Sequence, residues 1–238
     1  VFTCSWSDFW LAEADEWRAE AIELIKEYSQ FNWLVLTKRP ERMDVKLPDN
    51  VWLGVSVENN KVLGRITTLI TYADHFGFKG KLIISMEPLL CSILSGMMEY
   101  FLGQRRDIGD EYARKFSELK GTRLDWIIIG GESGNDRGKY LYRECYIHWI
   151  ENIVSQCKRY GIPVFVKQVG TYIAKGYGYK DRHGGKMEEW PESIRVREYP
   201  NSEIVKIECK VCGKPFSNTE DYLEHYDEIH NKGGEENE

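Results

Sequence analysis

The sequence has no uninterrupted apolar stretch near the roughly 20 residues that a membrane-spanning helix requires, so none of its 238 residues reads as part of such a span. It also lacks the basic start and long apolar run of a signal peptide; Val1-Phe2-Thr3-Cys4-Ser5-Trp6-Ser7-Asp8 passes straight into polar residues, which reads as a start in mid-domain. There is no basic excess. Lys and Arg number 32 against 38 Asp and Glu, and the net charge of −6 gives no overall attraction for phosphate backbones, so any nucleic-acid contact must be local. Cysteine is sparse: of six, Cys4, Cys91, Cys145 and Cys157 are scattered singly and only Cys209 and Cys212 form a C-x-x-C pair. That distribution predicts a reduced, cytoplasmic protein with a metal site rather than a disulfide framework. Low complexity is confined to an acidic tail at residues 233–238, predicted to be disordered. What remains, 42% hydrophobic and 29% charged residues, suits a globular domain with a smaller unit beside it.

Six short apolar runs share one design, a few β-prone residues and then an abrupt polar or glycine-rich end. They are 1–4, 33–36, 52–55, 82–84, 126–129 and 164–166. Continuous apolar runs of this length suit strands covered on both faces, as in a parallel sheet. Between most of them lie segments with apolar residues three and four apart, the helix period. Ala12 to Tyr28 carries Trp17, Ala21, Leu24, Ile25 and Tyr28; Val62 to Phe76 carries Leu63, Ile66, Leu69, Ile70 and Ala73; Arg143 to Tyr160 carries Ile147, Ile150, Ile153, Val154 and Cys157. The mixed stretch Ser92 to Lys120 reads as a helical connection enlarged by an insertion.

Alternation of strand and helix predicts an α/β fold with right-handed crossovers. The polar residues favour a (βα) barrel over an open sheet, because a barrel brings every C-terminal strand end to one mouth. Asp8, Lys38, Arg39, Glu58, Glu87, Glu132, Lys167 and Gln168 all fall at or just past the ends of runs. A closed barrel has eight strands over about 250 residues; six runs predict a partial, TIM-like barrel, or strands missing upstream of Val1.

In such a mouth Glu58, Glu87 and Glu132 stand among Lys38, Arg39 and Lys167. These residue types serve acid-base chemistry or hold a polar ligand, and a salt-bridge network stitching the strand ends is the alternative. In Gly130-Gly131-Glu132-Ser133-Gly134 the glycines permit a sharp bend and expose N–H groups to an anion, which makes Gly130, Gly131 and Ser133 candidate cofactor-binding residues. A serine nucleophile elbow is excluded, since Asn135 stands where G-x-S-x-G requires glycine.

Cys209-x2-Cys212-x12-His225-x4-His230 has the spacing of a ββα zinc finger, with Phe216 and Tyr222 placed for its small core. A unit of about 25 residues cannot fold alone without the metal. Its base-reading positions would be Asn218, Asp221 and Glu224, with Glu220, Asp227 and Glu228 on the same helix. Carboxylates repel phosphates, so despite Lys206, Lys210 and Lys214 the finger is predicted to contact protein rather than DNA. The expected division is a barrel over 1–200, the finger over 205–232 and the tail over 233–238.

Leu36-Thr37-Lys38-Arg39-Pro40-Glu41-Arg42-Met43, Val51 to Glu58, Met86-Glu87-Pro88-Leu89-Leu90, Leu124 to Gly134, Phe165 to Gly170 and the later Gly184-Gly185-Lys186 to Trp190-Pro191 together resemble, in order, a phage-associated family of unknown function with a three-cysteine motif. That family is similar to radical S-adenosylmethionine enzymes. The resemblance covers roughly Val1 to Pro200. It implies a partial barrel whose mouth residues Glu58, Glu87, Glu132 and Lys167 matter, and a 4Fe-4S cluster on cysteines upstream of the Ser5-Trp6-Ser7-Asp8 motif. Read through it, the chain is N-terminally truncated, because none of its scattered cysteines forms the C-x3-C-x2-C arrangement. Two rival readings stand beside it: a non-catalytic zinc-binding interaction module on a degenerate barrel, and a cluster-independent hydrolase or transferase using Glu58, Glu87 and Lys38.

Overall fold

All six apolar runs become strands of one parallel sheet. In the computed structural model, which describes residues 1–4, 7–93, 101, 124–139, 141–200, 207–209, 211, 212, 214–216, 225 and 229, they are β1 (Phe2–Thr3), β2 (Trp33–Thr37), β3 (Val51–Ser56), β4 (Lys81–Met86), β5 (Trp126–Gly130) and β6 (Val164–Gln168). They lie side by side in chain order, every neighbouring pair parallel. An all-parallel sheet with no change of strand order curls in one direction, and the result is a half-barrel. No described helix is long and apolar enough to cross a membrane.

The helices are α1 (Asp15–Glu27), α2 (Gly64–Phe76), α3 (Ile147–Tyr160) and α4 (Thr171–Tyr177). Strand side chains alternate between faces. Val35, Leu53, Val55, Ile84, Met86, Ile127, Ile129 and Val166 enter the main core with Ile25, Ile66, Leu69, Ile150, Ile153 and Val154 of the helices. The opposite parity builds a second cluster on the inner face, where Ile83, Trp126 and Ile128 meet Leu34, Leu36, Trp52 and Phe165. Trp126 stands at its centre, 5.9 Å from the rings of both Trp52 and Phe165.

Helix α1 corrects one expectation. Of the expected stripe, Ile25 is buried and Ala21 packs against the core, but Trp17, Leu24 and Tyr28 are exposed, and Arg18 and Ile22 face inward in their place. Burying Arg18 is tolerable because its guanidinium donates to Phe9 O at 3.2 Å, Leu11 O at 3.1 Å and Asp15 Oδ1 at 2.6 Å; a buried charge so partnered avoids most of its desolvation penalty. Helix α3 begins at Ile147, four residues later than its periodicity predicts, because Arg143 is committed to the loop after β5. The expected connection from Ser92 to Lys120 falls almost wholly outside the described residues.

The free edge of β6 is covered. Val166 N donates to Val196 O and Glu198 N to Val164 O, and Trp126 Nε1 donates to Glu198 O at 2.8 Å. The closing segment is bolted to the turn after β6: Val169 N donates to Gly184 O, and the same oxygen accepts from Nε1 of the buried Trp190. In the C-terminal part β7 (Ile207–Glu208) pairs antiparallel with β8 (Pro215–Phe216). Beyond these strands only Cys209, Val211, Cys212, Lys214, His225 and Ile229 of the expected finger are described; Tyr222 and His230 lie outside the described residues.

Candidate functional site

The mouth forms where the strands end, and strand parity explains its membership. Lys38, Glu58, Glu87, Glu132 and Lys167 continue the inner-face parity of Leu36, Trp52, Ile83, Ile128 and Phe165. Small residues sit on the same face below: a Cβ on Gly54 would stand 2.5 Å from Leu36 Cδ2 and 2.9 Å from Ile83 O, and one on Gly130 would press on the side chains of Gln168 and Glu87.

Asp8 is the clasp between the loop after β1 and the end of β2. Its Oδ1 accepts from Trp10 N at 2.9 Å and Thr37 Oγ1 at 2.7 Å, and its Oδ2 from Lys38 N at 2.8 Å and Arg39 Nη1 at 3.3 Å. Burial works against the charged form, but these donors outweigh it and hold the carboxyl below the usual range. With four bonds accepted, Asp8 positions its neighbours and has little capacity left for a ligand.

Each of the three glutamates has its own cation. Glu58 meets Lys38 Nζ at 2.5 Å and Arg65 Nη1 at 2.9 Å; Glu87 meets Lys167 Nζ at 2.9 Å. Glu132 is gripped by Arg143, whose backbone N and Nε both reach Oε2 at 2.8 Å and whose Nη2 reaches Oε1 at 2.7 Å. The sequence pointed to Glu58, Glu87, Glu132, Lys38 and Lys167, and the structure brings all five to one rim. Arg65 and Arg143 were not anticipated. Arg65 carried a readable signal, being a cation in the first turn of the helix that follows a strand ending in Glu58; Arg143, eleven residues from its partner, carried none.

Arg143 lowers the Glu132 pKa chiefly by hydrogen bonding. At Glu58 burial opposes ionisation, and Lys38, the residue's own backbone amide and then Arg65 overcome it. Both therefore stay ionised at neutral pH, as bases or hydrogen-bond acceptors rather than proton donors. A folded-state pKa below the unfolded one means stabilisation that is complete above the unfolded value and lost as pH falls through the folded one. The urea midpoint is accordingly expected to hold from pH 7 to about pH 5 and to drop below about pH 4, with Asp8→Asn giving a lower plateau and a shallower drop. A midpoint unchanged down to pH 2 would contradict the clasp.

Gly131 lies where the turns after β5 and β6 cross. Its N–H donates to Gln168 O at 3.0 Å, so this amide is already spent on the fold. Gly130 O accepts from Leu89 N, and Ser133 is exposed. Thr171, buried at the start of α4, ties this loop through Gly134 N at 3.2 Å and His183 Nδ1 at 3.1 Å.

A cavity of about 510 Å³ opens beside the rim at the ends of β1 to β3. Phe2, Leu11 and Leu36 give it apolar walls, and Ser7, Thr37, Lys38, Arg39 and Ser56 polar ones. That size and mixture suit a nucleoside-sized ligand.

Among the described residues one group of three or more metal-ligating side chains comes together: Cys209, Cys212 and His225, with donor atoms all within 4.8 Å. Cys212 Sγ is 3.2 Å from His225 Nε2. Tetrahedral zinc, with bonds of about 2.3 Å to sulfur and 2.0 Å to nitrogen, needs donors at about this spacing. Burial disfavours the Cys209 thiolate, but the Cys212 and Val211 amides outweigh it and lower its pKa. The scattered thiols behave oppositely: burial pushes Cys145 and Cys157 up to about 12, and burial followed by Asp8 raises Cys4.

A family model described as Protein of unknown function (DUF5131) matches residues 1–219. The match runs beyond the barrel through Cys209 and Cys212 and stops short of His225. No curated protein and no solved structure matches the chain.

Proposed function

The chain belongs to the DUF5131 family, and we propose that its half-barrel is a radical S-adenosylmethionine-type domain that holds S-adenosylmethionine at the mouth, with a zinc-bound C-terminal unit for protein contact. The observation that carries this reading is the cavity at the ends of β1 to β3, placed against the ionised rim. Its apolar walls, Phe2 and Leu36 foremost, suit the adenine ring. Lys38 and Arg39 suit the ligand's carboxylate, and Glu58 its ammonium. When bound, S-adenosylmethionine supplies an activated carbon beside a sulfonium sulfur; the residues of this chain bind and orient it.

An iron-sulfur cluster does not fit the described cysteines. Cys4, Cys91, Cys145 and Cys157 form no metal-ligating group, and the first, third and fourth are held as thiols.

Calorimetric titration tests the reading. Saturable 1:1 binding of S-adenosylmethionine is expected, weakened about tenfold by Lys38→Gln, the worth of one hydrogen bond to a charged group; that variant leaves Glu58 paired with Arg65. Absence of binding to the unsubstituted protein would refute it and favour the degenerate-scaffold reading.

A further inference from the structure

The half of the mouth over β4 to β6 has its charges in layers. Side-chain exposure is 18% for Glu87 against 57% for Lys167, and 20% for Glu132 against 59% for Arg143. Across the mouth the order repeats, 11% for Glu58 against 51% for Lys38. Glu87 Oε2 lies 3.1 Å from where a Cβ on Gly130 would stand, and Glu132 follows Gly130 by two residues, so the Glu87–Lys167 and Glu132–Arg143 pairs are neighbours at the end of β5; Glu58 also acts electrostatically on Arg143. A ligand arriving from solvent therefore meets cations first, in a protein whose net charge is −6.

The sunken carboxylates fix these cations without exhausting them. Lys167 has three N–H donors and gives one to Glu87. Arg143 engages Glu132 through Nε and Nη2, and its Nη1 takes no part in that grip. Exposed ion pairs contribute only about 0–1 kcal/mol, so accepting a further anion costs the fold little. A lysine supplying a point charge beside an arginine supplying a planar fork is a combination that matches a dianionic oxyanion better than a single carboxylate.

Resting on the reading of this mouth as a ligand site, we propose that Lys167 and Arg143 bind the phosphate group of a phosphorylated substrate, at the ends of β4 to β6. The carboxylates beneath act as positioning residues that hold the two cations upright. Free phosphate and a phosphate ester share this chemistry, and the titrations separate them.

The probes are inorganic pyrophosphate, AMP and adenosine, titrated calorimetrically at low ionic strength. Pyrophosphate is expected to bind saturably, and AMP to bind about tenfold or more tighter than adenosine, since a charge-assisted bond is worth about 1.5–3 kcal/mol. Lys167→Gln and Arg143→Gln should each weaken pyrophosphate by a similar factor with an unchanged melting temperature. Lys26→Gln, which removes an exposed α1 pair with Glu23, should leave binding unaltered. Pyrophosphate binding with no preference for AMP over adenosine would restrict the site to free oxyanions and overturn the substrate assignment. Equal losses in all three variants, or no pyrophosphate binding while S-adenosylmethionine still binds, would overturn the phosphate site alone. Failure of both ligands would remove the mouth reading on which it rests.

Discussion

Gly131→Ala is expected to destabilise the protein by about 3 kcal/mol or more, the upper range for forcing extra volume into a packed interior. A Cβ at this position would stand 2.0 Å from Val169 O, 2.5 Å from Val169 C and 2.9 Å from Gly170 Cα. All three are backbone atoms and cannot rotate aside. Gly170 faces the same crossing with φ +89 and no room for a side chain against Gly131 and Glu132, so neither turn can retreat without moving the other. Relief would require separating β5 from β6, which would shift Glu132 from Arg143 and Lys167 from Glu87. Gly64→Ala, at the start of α2 where an added Cβ meets nothing within 4 Å, is expected to change stability by less than about 1 kcal/mol. Urea unfolding of the two variants side by side measures the contrast, and similar midpoints would show that the crossing is not the close contact described.

The second large effect concerns the C-terminal unit. The purified protein is expected to carry one zinc per chain, and cobalt substitution to give the absorption of a tetrahedral site with sulfur and nitrogen ligands. Cys212→Ser should lower metal affinity by a hundredfold or more, because it removes one ligand of a set whose apparent binding energy in zinc-finger peptides is about 10–16 kcal/mol. Chelation should unfold residues beyond about 205 and leave the barrel's own transition in place, since the hairpin β7 to β8 has too little core to stand alone. Full zinc occupancy in Cys212→Ser would show that this thiolate is not a ligand, and none in the unsubstituted protein that the unit holds no zinc. His230→Ala then asks whether the fourth ligand expected from the spacing is the one used.

The rim was largely legible before any fold was known. Glu58, Glu87, Glu132, Lys38 and Lys167 each fall within three residues of the end of an apolar run, and parallel strands must deliver such residues to one end. The partners were less so. Lys167 and Glu87 lie 80 residues apart, and Asp8 accepts from Thr37 and Lys38 about 30 residues on; hydrogen bonds of that range leave no local trace. The glycine-rich segment after β5 was read as a presenter of N–H groups, yet Gly131 gives its amide to Gln168 and is small because two backbones cross there.

The periodicity of α1 marks the limit most clearly. Its residues support two overlapping stripes, the expected Trp17-Ala21-Leu24-Ile25-Tyr28 and the buried Arg18-Ile22-Ile25, which share Ile25 and are rotated from one another around the helix. Hydrophobicity alone favours the first. The sheet takes the second, because only there do Phe9 O and Leu11 O wait to receive the arginine, and no local pattern encodes acceptors supplied by another segment.

Local chemistry in the chain thus determined the six strands, their order of alternation with helices, the end of each strand at which charge collects, and the metal-ligand spacing near the C-terminus. Those features depend on neighbours within a few residues. The pairing of each carboxylate with its cation, the helix face turned inward, the crossing at Gly131 and Gly170 and the cavity beside the rim were decided only by the tertiary structure, because each depends on where separate strands stop relative to one another in space.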